Sequence, residues 1–579
     1  MSEDSAAPVS AAPAALRVVS PGRRAGVTIA VLAVVGAAWL VLQAYGLWLG
    51  PFGTSGEPRE AIVVQDLIAR HDWLLPKRNG VQLPRKPPLF YWLAGVAAHA
   101  RGAVDEGSVR VPSAVLSGLA CLLVAAVAAV LWGGVAGVVS GLTLMTSFEW
   151  LRAATSARVD MTLTFGLTLV FIGLLLFRHA ERRVWLVLFY GGAAWATLSK
   201  GIPGLAIPAF LILLLCVVVD RSLAFAWRLR PISGLLVVLL VGGAWYAAAA
   251  ARAGREFVSI VVNENLVRAV GERHFTLGHR HSVGYLVAVL LAGLLPWTTL
   301  LPSVGMAVWR DRRSVDRWDP RLTALVWIVA VFTPYAIAAS KRGVYLLPLY
   351  PAVCLLLGWW AAQLAGGTAH ARWLPRVLQP LGWSLAGALA LLALVAGAQH
   401  AGLPLLDSAA LWFDPRTAFD LRQVAAANGA RLAASFAVAS GAAAGLACAA
   451  AARRPVLTLA AMLLCTGALV FGVRAVIMPA VSAGQTRRPF AAALRRAVDP
   501  ATLRTTANLD YGTLFYWDEA IAEYDPESGE PAPRYLLLSE GAWLHMPATK
   551  RQHYRRVPGL TVERGNNQGY VVVVERVDA

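Results

Sequence analysis

The chain has 579 residues, of which 58% are hydrophobic and 15% charged, and its mean hydropathy is +0.58. Soluble domains carry more charge and fewer apolar residues, so this composition excludes a soluble protein and predicts a polytopic membrane protein. The net charge of +19 suits contact with membrane lipids or phosphate-bearing substrates. Nucleic acid is not an expected partner, because the basic residues border apolar segments and form no separate basic domain.

The N-terminal segment, residues 1–25, is expected to be disordered and cytoplasmic. Residues 1–16 are rich in Ser, Ala and Pro, a composition that does not support a packed core. Three arginines then precede an apolar run from about 27 to 49. This run is too long for the core of a signal peptide, and we expect it to remain as a membrane anchor.

Twelve further apolar runs follow, each about long enough to cross the hydrocarbon core. Their centres lie near residues 120, 143, 170, 192, 211, 241, 293, 331, 355, 389, 440 and 467. The sequence therefore predicts about thirteen transmembrane helices within residues 26–479. Arginines cluster in alternate loops, which places those loops in the cytoplasm and the longer loops outside. The five cysteines all lie within apolar runs, so neither a disulfide framework nor a CxxC metal site is predicted.

Two parts of the outer side are predicted to fold beyond the spans. In the loop of residues 50–110, AIVVQDLIARHDW and PLFYWLAGVAA have helical patterns but are too short to span, and we expect surface helices. Residues 480–579 contain β-like segments such as RYLLLSE and GYVVVVERV, and the helix-like RPFAAALRRAV. The predicted fold class is an all-α polytopic membrane protein with a small extracytoplasmic α/β domain at its C-terminus.

Lysine is rare, and its placement is a candidate functional signal. Of 52 basic residues only five are lysines, and all five lie on the predicted outer side. Lys86, Lys200 and Lys341 stand at the edges of apolar segments, where either chance placement or a phosphate contact is possible. In RKPPLFYW, the sequence around Lys86, the prolines and aromatic residues also fit a helix start at an interface, with Tyr91 and Trp92 as headgroup-depth anchors.

Charged groups beside a bilayer are functional candidates because they are costly unless paired or used. Asp160 ends ATSARVD directly before an apolar run, and either a helix N-cap or a site residue fits this position. Glu57 and Arg59, in GEPREA, fit a solvated loop or a site. In residues 263–281 the histidines match no zinc spacing, so no metal is expected there. The segment SKRGVYLLPLY repeats the pattern of cations before an aromatic and apolar run, which points to one anionic headgroup held between two basic clusters.

Seven motifs, in order between about residues 50 and 360, resemble the bacterial aminoarabinose transferases of lipid A and the related protein O-mannosyltransferases. They are GEPREA, LPRKPPLFYWLA, SARVDMTLTF, LSKGIPG, NENLVR with GHRHS, LLPWTTLLP and SKRGVYLLPLYPA. The resemblance implies the GT-C class of membrane glycosyltransferases, with thirteen spans. These enzymes move a sugar from a polyprenyl phosphate to an extracytoplasmic acceptor, with inversion at the anomeric carbon. No metal or other cofactor is expected here, because the Glu that the family carries before the motif lysine is missing.

The resemblance also implies roles for individual residues. Lys86 and Arg268 match the residues that bind the donor phosphate, and Tyr345 matches one that helps to position it. Asp160 is similar to the acidic residue of the second outer loop, and with Glu57 it is a catalytic candidate. The remaining candidates for contact with the donor phosphate are Arg59, Arg85, Lys200 and Lys341.

Two departures from the family pattern bear on the acceptor. The first-loop motif of the family usually begins Asp-Glu, whereas here it is Gly56-Glu57, and the residue before the motif lysine is usually Glu, whereas here it is Arg85. A hydroxyl acceptor needs a base, so the loss of Asp favours an anionic glycolipid acceptor such as lipid A, or else Glu57 becomes the base. A protein acceptor, a lipid-linked-sugar transporter and an inactive scaffold are the alternatives. The expected location is the bacterial inner membrane, with the active site facing the periplasm.

Overall fold

The structure is a computed structural model, and its helices account for most of the chain. It describes residues 21–579 except 53, 55, 264–280, 368–372, 404–428, 507–509, 526–529, 564–569 and 578–579. Helices α1 to α12 are Pro21–Trp39, Gly56–Arg70, Leu89–Arg101, Glu106–Trp132, Gly134–Thr146, Phe148–Ala154, Val159–Ala180, Trp185–Lys200, Pro203–Leu214, Ala224–Arg228, Pro231–Gly242 and Ala244–Val262. Helices α13 to α24 are Val283–Gly293, Leu301–Asp311, Pro320–Ile337, Tyr350–Ala365, Leu374–His400, Gly429–Ala451, Pro455–Gly472, Met478–Gln485, Arg488–Ala497, Tyr511–Trp517, Glu540–His545 and Ala548–Arg551.

The apolar helices agree with the predicted spans. Among the described residues, eight helices are long and apolar enough to cross a membrane, or up to eleven if each bent pair is one span. The bent pairs are α5 with α6, α11 with α12, and α13 with Trp297–Asp311. The two shorter helices α8 and α9 occupy the predicted centres near 192 and 211. Every predicted centre therefore lies in a helix, and the chain is an integral membrane protein with many spans.

The packing of α7 against α8 places the end of one helix beside the start of the other. A Cβ atom at Gly166 would lie 2.8 Å from the backbone nitrogen of Ala196, so only glycine permits this approach. The indole N–H of Trp195 donates to the carbonyl of Thr162 at 2.9 Å across the same interface. Since α8 runs back along α7, its last residue, Lys200, returns to the level at which α7 begins.

Helices α2 and α3 form in the two segments of residues 50–110 that were predicted to be helical, and a sheet is present near the C-terminus. Its strands are β1 Leu503–Thr505, β2 Tyr535–Ser539, β3 Tyr554–Glu563 and β4 Tyr570–Arg576, in the order β1-β2-β4-β3. β1 and β2 are parallel, and the other pairs are antiparallel. Neither the strand β3 nor this order was predicted.

The sheet packs against the first outer loop through a shared apolar cluster. Leu67 of α2 and Phe90 of α3 belong to the same buried cluster as Leu494 of α21 and Val573 of β4. Asn79, between α2 and α3, closes this interface with two hydrogen bonds to the backbone of Ile521, at 2.7 and 3.0 Å. The α/β region therefore supports the loop that carries Glu57, Glu60 and Lys86.

Candidate active site

The second turn of α2 begins with an acidic side chain, Glu60, that accepts hydrogen bonds from three side chains. Glu60 is only 2% exposed. Its Oε1 accepts from the Lys86 ammonium at 2.9 Å and from the Arg59 guanidinium at 2.8 Å. Its Oε2 accepts from the hydroxyl of Tyr91 at 2.6 Å. A buried carboxylate with this many charged and polar donors is a fixed feature of the site.

The local sequence explains how Lys86 reaches this position. Pro87 and Pro88 follow it, and a residue before proline is biased away from helical backbone. Pro88 is the N-cap of α3, so Lys86 precedes the helix, as the helix-start interpretation predicts. Tyr91 lies within the first turn of α3 and is buried, and its hydroxyl donates to Glu60.

Burial and ion pairing have opposite effects on the pKa of Glu60 and on the pKa of Lys86. Burial by itself raises the pKa of Glu60, but Lys86, Arg59 and the Tyr91 hydroxyl bring that pKa well below its ordinary value. Burial lowers the pKa of Lys86, while the charges of Glu60 and Asp160 oppose the decrease. Glu60 is therefore firmly ionised, and the charged form of Lys86 depends on its acidic neighbours.

Asp160 forms a second pair beside the first. It lies in the first turn of α7, and the N-cap of that helix is Arg158, so Asp160 is not the N-cap. Its carboxylate forms an ion pair with the ammonium of Lys200. The Lys200 nitrogen also lies 4.6 Å from the centre of the Tyr345 ring, an arrangement that favours a cation.

The two pairs form one charged cluster where several helices begin or end. Asp160 acts on Lys86 as well as on Lys200, so the four charges alternate in sign. They come from α2, the turn before α3, α7 and α8. The structure thus brings together Lys86, Asp160, Lys200, Tyr345 and Arg59, five of the residues singled out in the sequence.

Three other candidates stand apart or cannot be placed. Lys341 is buried, and its ammonium donates to the carbonyl of Ala338 at 2.6 Å. Arg85 is exposed beside Lys86. Arg268 lies outside the described residues, so its contact with the donor phosphate stays a prediction.

Glu57 lies in a different environment from Glu60. Its carboxylate accepts two hydrogen bonds from the guanidinium of Arg110, at 2.8 and 3.3 Å, and one from the backbone N–H of Ala157 at 3.2 Å. Arg110 also donates to the carbonyls of Leu47, Gly50 and Pro51. The pair joins α2, α4 and the segment before α7, and the catalytic role of Glu57 stays a prediction.

Sequence reasoning missed Glu60, although a signal for it was present. Glu60 follows Gly56 by four residues, so on a helix it lies on the same face as the position where the family carries Asp. In the part of the chain that the structure describes, no three His, Cys, Asp or Glu side chains are placed to hold a metal ion.

Comparison with known proteins supports the class indicated by this fold and site. A family model described as dolichyl-phosphate-mannose-protein mannosyltransferase matches residues 85–246, which include Lys86, Asp160 and Lys200. The crystal structure of ArnT from Cupriavidus metallidurans bound to undecaprenyl phosphate aligns with a TM-score of 0.69, covering 95% of this chain and 98% of that one at 22% identity. The fold is therefore that of ArnT over nearly the whole chain.

The similar sequences have one name in common. An undecaprenyl phosphate-alpha-4-amino-4-deoxy-L-arabinose arabinosyl transferase from Pectobacterium carotovorum is 26% identical over 340 residues, 58% of this chain and 59% of that protein. A second enzyme of that name, from Pseudomonas fluorescens, is 28% identical over 372 residues, 62% of this chain and 64% of that protein. The resemblance to the aminoarabinose transferases is thus confirmed, over about three fifths of these relatives.

Proposed function

We propose that the protein is an inverting glycosyltransferase that moves a sugar from a polyprenyl phosphate to an acceptor on the periplasmic side of the bacterial inner membrane. The observation that carries this proposal is the convergence of Lys86 and Lys200, with their carboxylate partners, at the outer ends of apolar helices. Cations in that position meet a lipid phosphate at headgroup depth. The names of the similar transferases support the same donor class.

In the proposed reaction an oxygen of the acceptor attacks the anomeric carbon from the face opposite the carrier. The bond between that carbon and the phosphate oxygen breaks, and its electron pair stays on the departing phosphate. Lys86 stabilises the charge that develops there, because an oriented ammonium in a water-poor site interacts more strongly than in bulk water. Tyr345 and the predicted ligand Arg268 would position the phosphate, and the polyprenyl tail would lie along apolar spans.

An anionic acceptor fits the acidic residues of the site. Glu60 and Asp160 are each paired with a lysine, and the pKa of Glu60 is well below its ordinary value. A weakly basic carboxylate is a poor general base for a hydroxyl, whereas a phosphate is already ionised. We therefore propose a phosphorylated glycolipid such as lipid A, with Arg59 and Arg85 as rim cations.

A protein acceptor is the second candidate, because the matching family is described as a protein mannosyltransferase. The two are separated by offering the purified enzyme a phosphorylated glycolipid, its dephosphorylated form and a peptide. Transfer only to the phosphorylated lipid supports the first candidate. Transfer to the peptide replaces it with the second.

We also propose that transfer needs no metal, since side-chain cations supply the charge that opposes the leaving phosphate. Activity is expected to survive EDTA unchanged. A loss of activity that Mg²⁺ or Mn²⁺ restores would overturn this part of the proposal.

The direct test measures transfer from an undecaprenyl-phosphate sugar by wild type, Lys86→Ala and Lys550→Ala. Lys550 is an exposed lysine in the α/β region and is a matched control for the loss of one ammonium. We expect Lys86→Ala to lose transfer by about 10²–10³-fold, as for other groups that stabilise developing charge. Equal turnover of all three proteins would remove the basis of the proposal.

A further inference from the structure

The two carboxylates that the family pattern would place in this site, at residues 56 and 85, are absent from the sequence. Glu60 provides a carboxylate at a nearby position. Residue 56 is Gly and residue 85 is Arg. Glu60 lies one helical turn after Gly56, on the same face of α2. Its carboxylate is the hydrogen-bonded partner of the Lys86 ammonium at 2.9 Å.

The contacts of Glu60 fix both of its oxygens. Tyr91 holds Oε2, while Lys86 and Arg59 share Oε1. The Lys86 ammonium has three N–H donors, and Glu60 occupies one of them. The Lys86 side chain is 24% exposed, so the remaining donors are accessible to an incoming ligand.

We propose that Glu60 is the positioning residue of the donor-phosphate site, which aims the Lys86 ammonium and keeps it charged in place of the carboxylates that positions 56 and 85 lack. This inference rests on the proposed function, because it assumes that Lys86 binds the donor phosphate. Glu60 acts through Lys86 and needs no contact with the sugar.

Lys86 needs such a partner because a lysine that is partly removed from water tends to lose its proton. The charged groups that act on it are Glu60 and Arg59 from α2 and Asp160 from α7. Arg59 repels the ammonium, and Asp160 is already shared with Lys200. Glu60 is therefore the principal counter-charge of Lys86.

The test measures the affinity for undecaprenyl phosphate between pH 6 and pH 10, in wild type, Glu60→Gln and Glu60→Asp. The second pKa of a phosphate monoester is about 6, so its ionisation is complete by about pH 8 and a loss of affinity above that pH reports on the protein. As pH rises through the pKa of Lys86, the ammonium becomes neutral and binding weakens. We expect this loss to begin about one pH unit or more lower in Glu60→Gln.

Glu60→Asp keeps the negative charge but moves it away from Lys86 by one methylene. We therefore expect this variant to lose affinity at a pH between those of wild type and Glu60→Gln. This variant also decides the question if Glu60→Gln does not fold. A pH profile of Glu60→Gln, or of Glu60→Asp in that case, that coincides with wild type would overturn the proposal.

Asp66→Asn is the matched control, because it removes another buried carboxylate from the same helix. Asp66 pairs with Arg70 and accepts from the backbone N–H of Lys77. We expect lower thermal stability but an unchanged pH profile. A shift equal to that of Glu60→Gln would mean that general loosening of α2 is responsible and would refute the positioning role.

Lys86→Ala separates this inference from the proposed function. Unchanged affinity in Lys86→Ala would mean that the phosphate binds elsewhere, and both proposals would fail. Lost affinity in Lys86→Ala, with an unshifted Glu60→Gln profile, would overturn the positioning role alone.

Discussion

Glu57 and Glu60 lie three residues apart on one helix, and both are buried, yet their surroundings differ. Glu57 meets the planar guanidinium of Arg110, which also binds three backbone carbonyls. Glu60 meets the compact ammonium of Lys86, which, among the described residues, uses one of its three donors and lies near Asp160. The partner of a buried carboxylate therefore indicates the role of that carboxylate. An arginine whose N–H donors are all used holds structural elements together, whereas a lysine with unused donors can still bind a ligand.

We expect the largest loss of stability from substitution of Glu57, whose ion pair with Arg110 holds several segments together. Glu57→Ala leaves the Arg110 charge buried without its partner, and breaking a buried ion pair in this way costs about 3–5 kcal/mol. Thermal unfolding of the purified protein in detergent measures the loss. Wild-type stability combined with abolished transfer would contradict the structural interpretation and favour the predicted catalytic role of Glu57.

The next effect concerns Asp160 and Lys200, which the sequence identified as separate candidates and the structure pairs. Asp160→Asn is expected to lower transfer by about 10²-fold, because Lys200 loses the charge that orients it. Lys200→Met should cost a similar factor, and the double variant little more, since the two side chains act as a unit. If the double variant loses transfer by the product of the two single losses, the two residues act independently.

A smaller effect is expected at Tyr345, where the ring and the hydroxyl can be separated. Tyr345→Phe keeps the ring that faces the Lys200 ammonium, whereas Tyr345→Leu removes a cation–π contact of about 0.5–2 kcal/mol. We expect the affinity for undecaprenyl phosphate to fall more in the Leu variant. If the Phe variant loses as much as the Leu variant, the hydroxyl rather than the ring is responsible.

The sequence predicted the features that depend on local pattern. Apolar runs located the centres of the spans, and the two prolines of RKPPLFYW predicted the start of α3. The placement of Asp160 and Lys200 at span edges identified both as candidates. These signals are local because span length, helix starts and flanking charges are set by consecutive residues.

Features that depend on distant partners were not predicted. The pairing of Glu60 with Lys86 joins residues 26 apart, and that of Glu57 with Arg110 joins residues 53 apart. Each of these pairings is decided by tertiary packing, which no short motif encodes.

An experimental structure of this protein with undecaprenyl phosphate bound would test the role of Lys86 directly. We expect a phosphate oxygen about 3 Å from the Lys86 ammonium, with Glu60 still on the opposite side of that nitrogen. A phosphate bound away from Lys86, or a Lys86 side chain turned from it, would contradict the central claim that this lysine holds the departing carrier.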